Sequence, residues 1–286
     1  MPVIYIIIMN KVQFDQKQKE NIIKSYLNGK SSVYIAKEIN VSPSTITRYL
    51  HKNNIQLRGP SYMHRKYEID EYFFEKIDTS EKAQILGVWM ADGWNCDKKR
   101  SSYLALAEED TEYLEKINKV LKYNKPIEIY QTAPGFKKNQ KTARISIYNK
   151  KISNDLASKG CNGNKTENLI FPKPEIVPEY LLSHFVRGYF EGDGWTTKHK
   201  SSTCSTAGIC GTEAFCLGIQ KVLKEKLKIT STVFNISNKC SKVSFSKRKF
   251  VIDFLNWIYC DAPFVMERKF RKYNEIKSII PKYISH

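Results

Sequence analysis

Two stretches, far apart in the chain, repeat one design. Ala83 to Trp94 reads AQILGVWMADGW and Leu181 to Trp195 reads LLSHFVRGYFEGDGW. Aligned on their glycines they are Gly87-x-x-x-Ala91-Asp92-Gly93-Trp94 and Gly188-x-x-x-Gly192-Asp193-Gly194-Trp195. Each is a short apolar helix with small residues at i and i+4. That stripe lets two helices pack with their backbones nearly touching. Gln84, Arg187 and Glu191 interrupt the apolar runs, which are too short to span a bilayer. Packed side by side through Gly87, Ala91, Gly188 and Gly192, the helices bring Asp92 and Asp193 together at one end.

That placement is costly by itself. A carboxylate in the last turn of a helix meets the negative end of the dipole, at roughly 0.3–1 kcal/mol, and two such groups also repel each other. Divalent cations between them remove the conflict. Paired carboxylates holding Mg²⁺ beside a phosphodiester are the working parts of metal-assisted hydrolysis. The plainer alternative is that Asp-Gly is a turn after each helix. Its repetition with matching flanks, the following Trp included, weighs against that.

The chain around these stretches is also written twice. After Trp94 come an extended Tyr103–Ala107 and a helix carrying Leu114, Ile117, Val120 and Leu121. After Trp195 come Ala207–Cys210 and a helix carrying Phe215, Ile219, Val222 and Leu223. Residues 127–130 and 143–148 alternate as two strands and are answered by 232–236 and 242–246. Helices over 151–159 and 250–258 close the halves. The fold class is α+β, with two pseudosymmetric αββαββα units packed through the paired helices. Helices cover one face of each four-stranded sheet and leave the other open, concave and polar. Arg144, Ser146, Lys198, Lys242, Ser244 and Ser246 are the candidates on the open faces.

The duplicated motif resembles the two signature helices of a single-chain LAGLIDADG homing endonuclease. Residues 85–93 and 186–194 match its nine positions, and the resemblance covers residues 70–275. It implies that the acid at position eight, Asp92 and Asp193, binds metal with backbone carbonyls of Ala91 and Gly192. Position six, a second acid in the consensus, is Met90 in the first copy and Glu191 in the second, and is expected to pack or cap. A basic residue in each half stands near metal and scissile phosphate in that family. By position these are Lys165 and Lys269, for which an ordinary phosphate-contacting or surface role is the alternative. The resemblance further implies a monomer whose saddle-shaped sheets track a long, pseudo-symmetric or asymmetric site in double-stranded DNA. It also implies that both strands are hydrolysed with Mg²⁺, or Mn²⁺ as substitute, leaving short 3′ overhangs, as in intron mobility. A non-cleaving DNA-binding regulator or an RNA maturase on the same scaffold is the rival. An intein is disfavoured, because the chain lacks the terminal residues that splicing needs.

Upstream, Ser31/Ser32 and Ser42-Pro43 read as helix starts, giving three helices near 16–28, 33–39 and 43–51. Ile22, Ile23, Tyr26 and Leu27 line the first. The second and third have the outline of a helix-turn-helix. Ile46 and Leu50 then face inward and Ser44, Thr45 and Arg48 face bases and phosphates, a small protein-binding bundle being the alternative. A basic tether with Arg58 follows, and Asp70–Asp78 reads as a short helix. The divisions are 1–10, a tail or a misplaced start; 11–56, helix-turn-helix; 57–79, linker; 80–170 and 171–286, the two repeats.

Composition agrees with a polyanionic partner. Lys and Arg number 47 against 29 Asp and Glu, for a net charge of +18 spread along the chain. No basic amphipathic helix favours a membrane. The seven cysteines form no CxxC pair and read as reduced thiols of an intracellular, unsecreted protein. The apolar start, MPVIYIIIMNK, is too short for a membrane span and poor as a signal peptide.

Overall fold

The computed structural model describes residues 13–28, 30–57, 66–131, 141–163, 165–198 and 205–278. The tail at 1–10, Arg58 and much of the tether lie outside these residues. Contacts divide the chain into two units, 1–66 and 67–286.

The first unit holds α1 (Gln16–Leu27), α2 (Ser32–Glu38) and α3 (Pro43–Lys52). Asp15 caps α1 in a reciprocal capping box with Gln18, Ser31 caps α2, and Ser42 caps α3 ahead of Pro43. Asn40, left-handed at φ 52°, turns α2 into α3. Ile22, Tyr26, Ile35, Ala36, Ile46 and Leu50 form the core. Leu27, expected on that face, is exposed. It lies one position past Tyr26, about 100° round the helix, on the side away from α2 and α3.

In the second unit Thr79 caps α4 (Ser80–Asp92). There follow β1 (Gly93–Cys96), β2 (Ser101–Ala107), α5 (Thr111–Val120), β3 (Glu128–Gln131), β4 (Lys141–Tyr148) and α6 (Lys150–Ser158). A four-residue helix, α7 (Lys165–Asn168), lies in the connection to the second half. That half is α8 (Leu182–Asp193), β5 (Gly194–Lys198), β6 (Ser205–Gly211), α9 (Glu213–Leu227), β7 (Thr232–Ser237), β8 (Cys240–Phe245) and α10 (Arg248–Tyr259), with α11 (Glu267–Lys277) appended. The antiparallel sheets run β1-β2-β4-β3 and β5-β6-β8-β7. Their registers correspond: Trp94 faces Tyr103 as Trp195 faces Gly208, and Arg144 faces Ala105 as Lys242 faces Cys210.

Alternation along the central strands sets the layers. Leu104, Leu106, Ala143, Ile145 and Ile147 of the first sheet turn to the core, as do Ala207, Ile209, Val243 and Phe245 of the second. The helix residues Ile117, Leu121, Ile219 and Leu223 pack in the same core. A single cluster runs through both halves because α4 and α8 are buried together between them. Asp70–Asp78 is turns rather than a helix. Asp70 N–H donates to Leu121 O, and Phe73, Phe74 and Ile77 are buried, so tertiary contacts hold the segment. No described helix is long and apolar enough to cross a membrane.

Candidate active centre and nucleic-acid face

The two glycine stripes meet. A Cβ added at Gly87 would overlap Phe185 O and lie 2.8 Å from Tyr189 N. One at Gly188 would overlap Gln84 O and lie 3.0 Å from Val88 N. At Gly192 it would sit 2.5 Å from both Ala91 Cβ and Asp92 Oδ2. The Asp92 carboxylate therefore rests against the partner helix, one residue from Asp193. Both aspartates are half-buried at the same end of the pair.

Asp-Gly is not a turn in either copy. Gly93 and Gly194 have extended backbones (φ −77° and −89°), so each helix passes straight into a strand. Glycine is needed there because a Cβ would come 2.5 Å from Trp89 O or Phe190 O.

Lys269, on the first turn of α11, reaches the same end and is buried. Its ammonium donates to Phe190 O (2.9 Å), Gly192 O (3.3 Å) and Gly194 O. Burial, then the charge of Arg268, lowers it from 10.5 to about 8, against Asp92, Glu191 and Asp193, which favour its charge. All three donors are thus spent on main-chain carbonyls at the negative end of α8. One of these is the Gly192 carbonyl expected to bind metal. The Lys165 side chain lies outside the described residues.

Position six behaves as packing and capping. Glu191 is fully buried and accepts from Tyr113 Oη (2.6 Å), Gln84 Nε2 (2.9 Å) and Met266 N (2.9 Å), the residue preceding α11. Arg187 donates to Gln84 Oε1 and Ile258 O, both at 2.8 Å. Gln84 and Tyr113 come from the first half, so the network crosses between halves. Met90 is buried and lines a 160 Å³ cavity with Ala91, Tyr189, Asp193 and Cys210.

Among the described residues no three His, Cys, Asp or Glu side chains gather as a metal cage. Two carboxylates suit a hard cation that completes its shell from main-chain carbonyls, water and substrate oxygens, as Mg²⁺ does. They do not suit a closed zinc site.

The binding residues divide. Ser44 and Arg48 are exposed and Thr45 is half-buried, but the hydroxyls of Ser44 and Thr45 both bond Ser42 Oγ at the helix cap. Arg144, Lys242 and Ser244 stand half-buried on the open faces, and Ser246 is exposed just past β8. Ser146 is a correction: it points to the open side but is buried, donating to Glu128 Oε2 at 2.6 Å. The Lys198 side chain lies outside the described residues. Two features escaped the sequence reading. Lys98, Lys99 and Arg100 form an exposed basic turn between β1 and β2, signalled only by being consecutive. And the open face of the first sheet is aromatic as well as polar, carrying Trp94, Tyr103 and Tyr130.

No family model matches the chain, and no curated protein matches it in sequence. Solved structures do. The homing endonuclease I-WcaI bound to its DNA recognition sequence is 15% identical with a TM-score of 0.51, over 78% of this chain and 97% of that one. Full-length DUF199/WhiA from Thermatoga maritima is 20% identical with a TM-score of 0.48, over 73% of this chain. The chain spans 64% of that protein's length, just under two thirds. The LAGLIDADG meganuclease I-AabMI bound to uncleaved DNA is 15% identical with a TM-score of 0.42, over 74% and 90% of the two chains. With its duplicated motif, paired signature helices and twin four-stranded sheets, the chain has a LAGLIDADG-type fold.

Proposed function

We propose that the protein is a site-specific double-strand DNA endonuclease of the homing type. The observation that carries this is the meeting of Asp92 and Asp193 at one end of a glycine-to-glycine helix pair. Nothing in helix stability asks for two acids there. Each carboxylate would hold a divalent cation, Mg²⁺ or Mn²⁺, which supplies Lewis-acid stabilisation and an activated water. The chain's own residues hold the carboxylates in place: the α4–α8 contact fixes their separation, and Lys269 offsets their charge. The strands beside them, β1-β2 and β5-β6, offer open faces and a basic turn to the groove and phosphates, and affinity should fall steeply with salt. A likeness in fold to the homing endonuclease I-WcaI, solved bound to its DNA recognition sequence, supports the same reading. The N-terminal helices act as a helix-turn-helix reader through Ser44, Thr45 and Arg48, and the protein works inside the cell as a monomer.

Lys269 favours a second reading. With its ammonium on the Gly192 carbonyl, the group expected to bind metal is already engaged, as suits a regulator or maturase that binds nucleic acid without cutting.

A cleavage selection separates the two. A pool of double-stranded DNA is incubated with Mg²⁺ and wild type, Asp92→Asn or Asp193→Asn, and the ends are sequenced. A recurrent long site cut by wild type and only nicked by one variant establishes the nuclease. A site bound tightly yet uncut with Mg²⁺ or Mn²⁺ establishes the second reading.

A further inference from the structure

A row of flat groups crosses the open face of the first sheet. Trp94 stacks on Tyr103, with ring centroids 5.1 Å apart and planes at 19°. The Arg144 guanidinium follows, 5.2 Å from the Tyr103 centroid and 4.0 Å from that of Tyr130. Strand register builds the row. Trp94 faces Tyr103 across β1-β2, Arg144 faces Ala105 and Glu128, and Tyr130 faces Thr142. Lying between two rings, the guanidinium gains cation–π attraction and loses little freedom on binding.

What this guanidinium lacks, beyond its two rings and a loose ion pair with Glu128, is a hydrogen bond. Its Nε is buried without a hydrogen bond, and Glu128 Oε2 stands 3.9 Å away, too far for one. The terminal nitrogens make no hydrogen bond among the described residues and are not among the buried unpartnered atoms, so they face solvent. The result is a planar, charged fork of donors, fixed in orientation, on the side of the sheet away from the core. Two adjacent acceptors on one edge complete such a fork. In duplex DNA the major-groove edge with two acceptors and no donor is that of guanine, N7 and O6. Adenine sets a donor beside its acceptor, and thymine offers a single acceptor.

The second half fills the corresponding slot differently. Lys242 faces Cys210 and Phe234 where Arg144 faces Ala105 and Glu128, and Gly208 stands in the place of Tyr103. Among the described residues its ammonium has one ring near it, Phe234 at 5.8 Å. That is a point charge on a flexible stem rather than an oriented fork.

We propose that Arg144, positioned by Tyr103 and Tyr130, reads one guanine. The half-site facing the first sheet is then specified more strictly than the half-site facing the second, where Lys242 holds the equivalent place. This rests on the reading that the open faces meet double-stranded DNA.

The full-length chain is used to select bound sequences from a randomised double-stranded DNA pool in EDTA, where metal-dependent cutting cannot interfere. Wild type, Arg144→Ala, Arg144→Lys, Tyr130→Ala and Lys242→Ala are compared, with thermal melts of each to show that it is folded. Wild type should select a guanine that Arg144→Ala no longer selects, discrimination there falling roughly 5- to 150-fold while the rest of the site persists. Arg144→Lys, which keeps the charge but not the fork, should not restore it, and Tyr130→Ala should weaken it in part. Lys242→Ala should leave that guanine unchanged. An unchanged consensus with Arg144→Ala overturns the proposal. So does uniform weakening at every position with a shallower salt dependence, the mark of a phosphate contact. If Arg144→Ala does not fold, retention of the guanine by Arg144→Lys overturns it. Failure of wild type to retain any DNA overturns the endonuclease reading too, and differs visibly from a selected site that ignores Arg144.

Discussion

Gly188→Ala tests whether the helix contact holds the centre together. Residue 188 lies on the buried face of α8 against main chain of α4. The new Cβ would overlap Gln84 O and stand 2.8 Å from Gln84 C and 3.0 Å from Val88 N. Carbon atoms in contact need ~3.5–4.0 Å, so the helices must part by on the order of 1 Å. Overpacking costs ~1–3 kcal/mol, occasionally more. Main chain cannot rotate away as a side chain does, so the loss should be about 3 kcal/mol. For a unit of this size that lowers Tm by roughly 6–12 °C. The same displacement separates Asp92 from Asp193, and a 1 Å misplacement at a reacting centre costs on the order of 10²-fold in rate. Circular dichroism melts give the first quantity and, on the proposed endonuclease reading, cleavage of the selected site gives the second. Gly163→Ala is the control: its added Cβ meets only Asn95 O, at 3.5 Å, and should change stability by less than about 0.5 kcal/mol. A Gly188→Ala protein as stable and active as wild type would refute the reasoning, because the helices would then have room that the structure denies them.

Two further outcomes follow from buried polar groups. Glu191→Gln should destabilise by ~1–3 kcal/mol in urea unfolding, because Tyr113, Gln84 and Met266 all donate to the carboxylate and an amide turns a donor against one of them. His184 is lowered from 6.5 by burial and then by the Arg187 charge, so its linked stability is present above pH 6.5 and lost as pH falls through the folded value. His184→Leu should therefore flatten the acid side of the stability–pH curve, and an unaltered slope would count against the assignment.

Parts of this were legible because they depend on neighbours in sequence. Ser31, Ser42, Pro43 and Thr79 mark helix starts through bonds made within one turn. The twofold alternation of residues 143–148 and 242–245 gave the correct face for Arg144 and Lys242. What a side chain meets on its face is another matter. Ser146 points to the open side yet is buried, because Glu128 from a neighbouring strand lies over it. Leu27 was misplaced by the same blindness to what packs where. Lys269 is buried at the end of the helix pair where the aspartates stand, but its sequence position does not show that the carbonyls holding it belong to the end of α8.

The sequence alone determined that two like helices would pack through glycine and that their acids would share one end. Repetition and residue size are local, readable properties. Only the tertiary structure decided the Glu191 network between halves and the stacking of Arg144 between Tyr103 and Tyr130. Those contacts join residues from separate strands or helices, whose meeting depends on register and on packing of the whole unit.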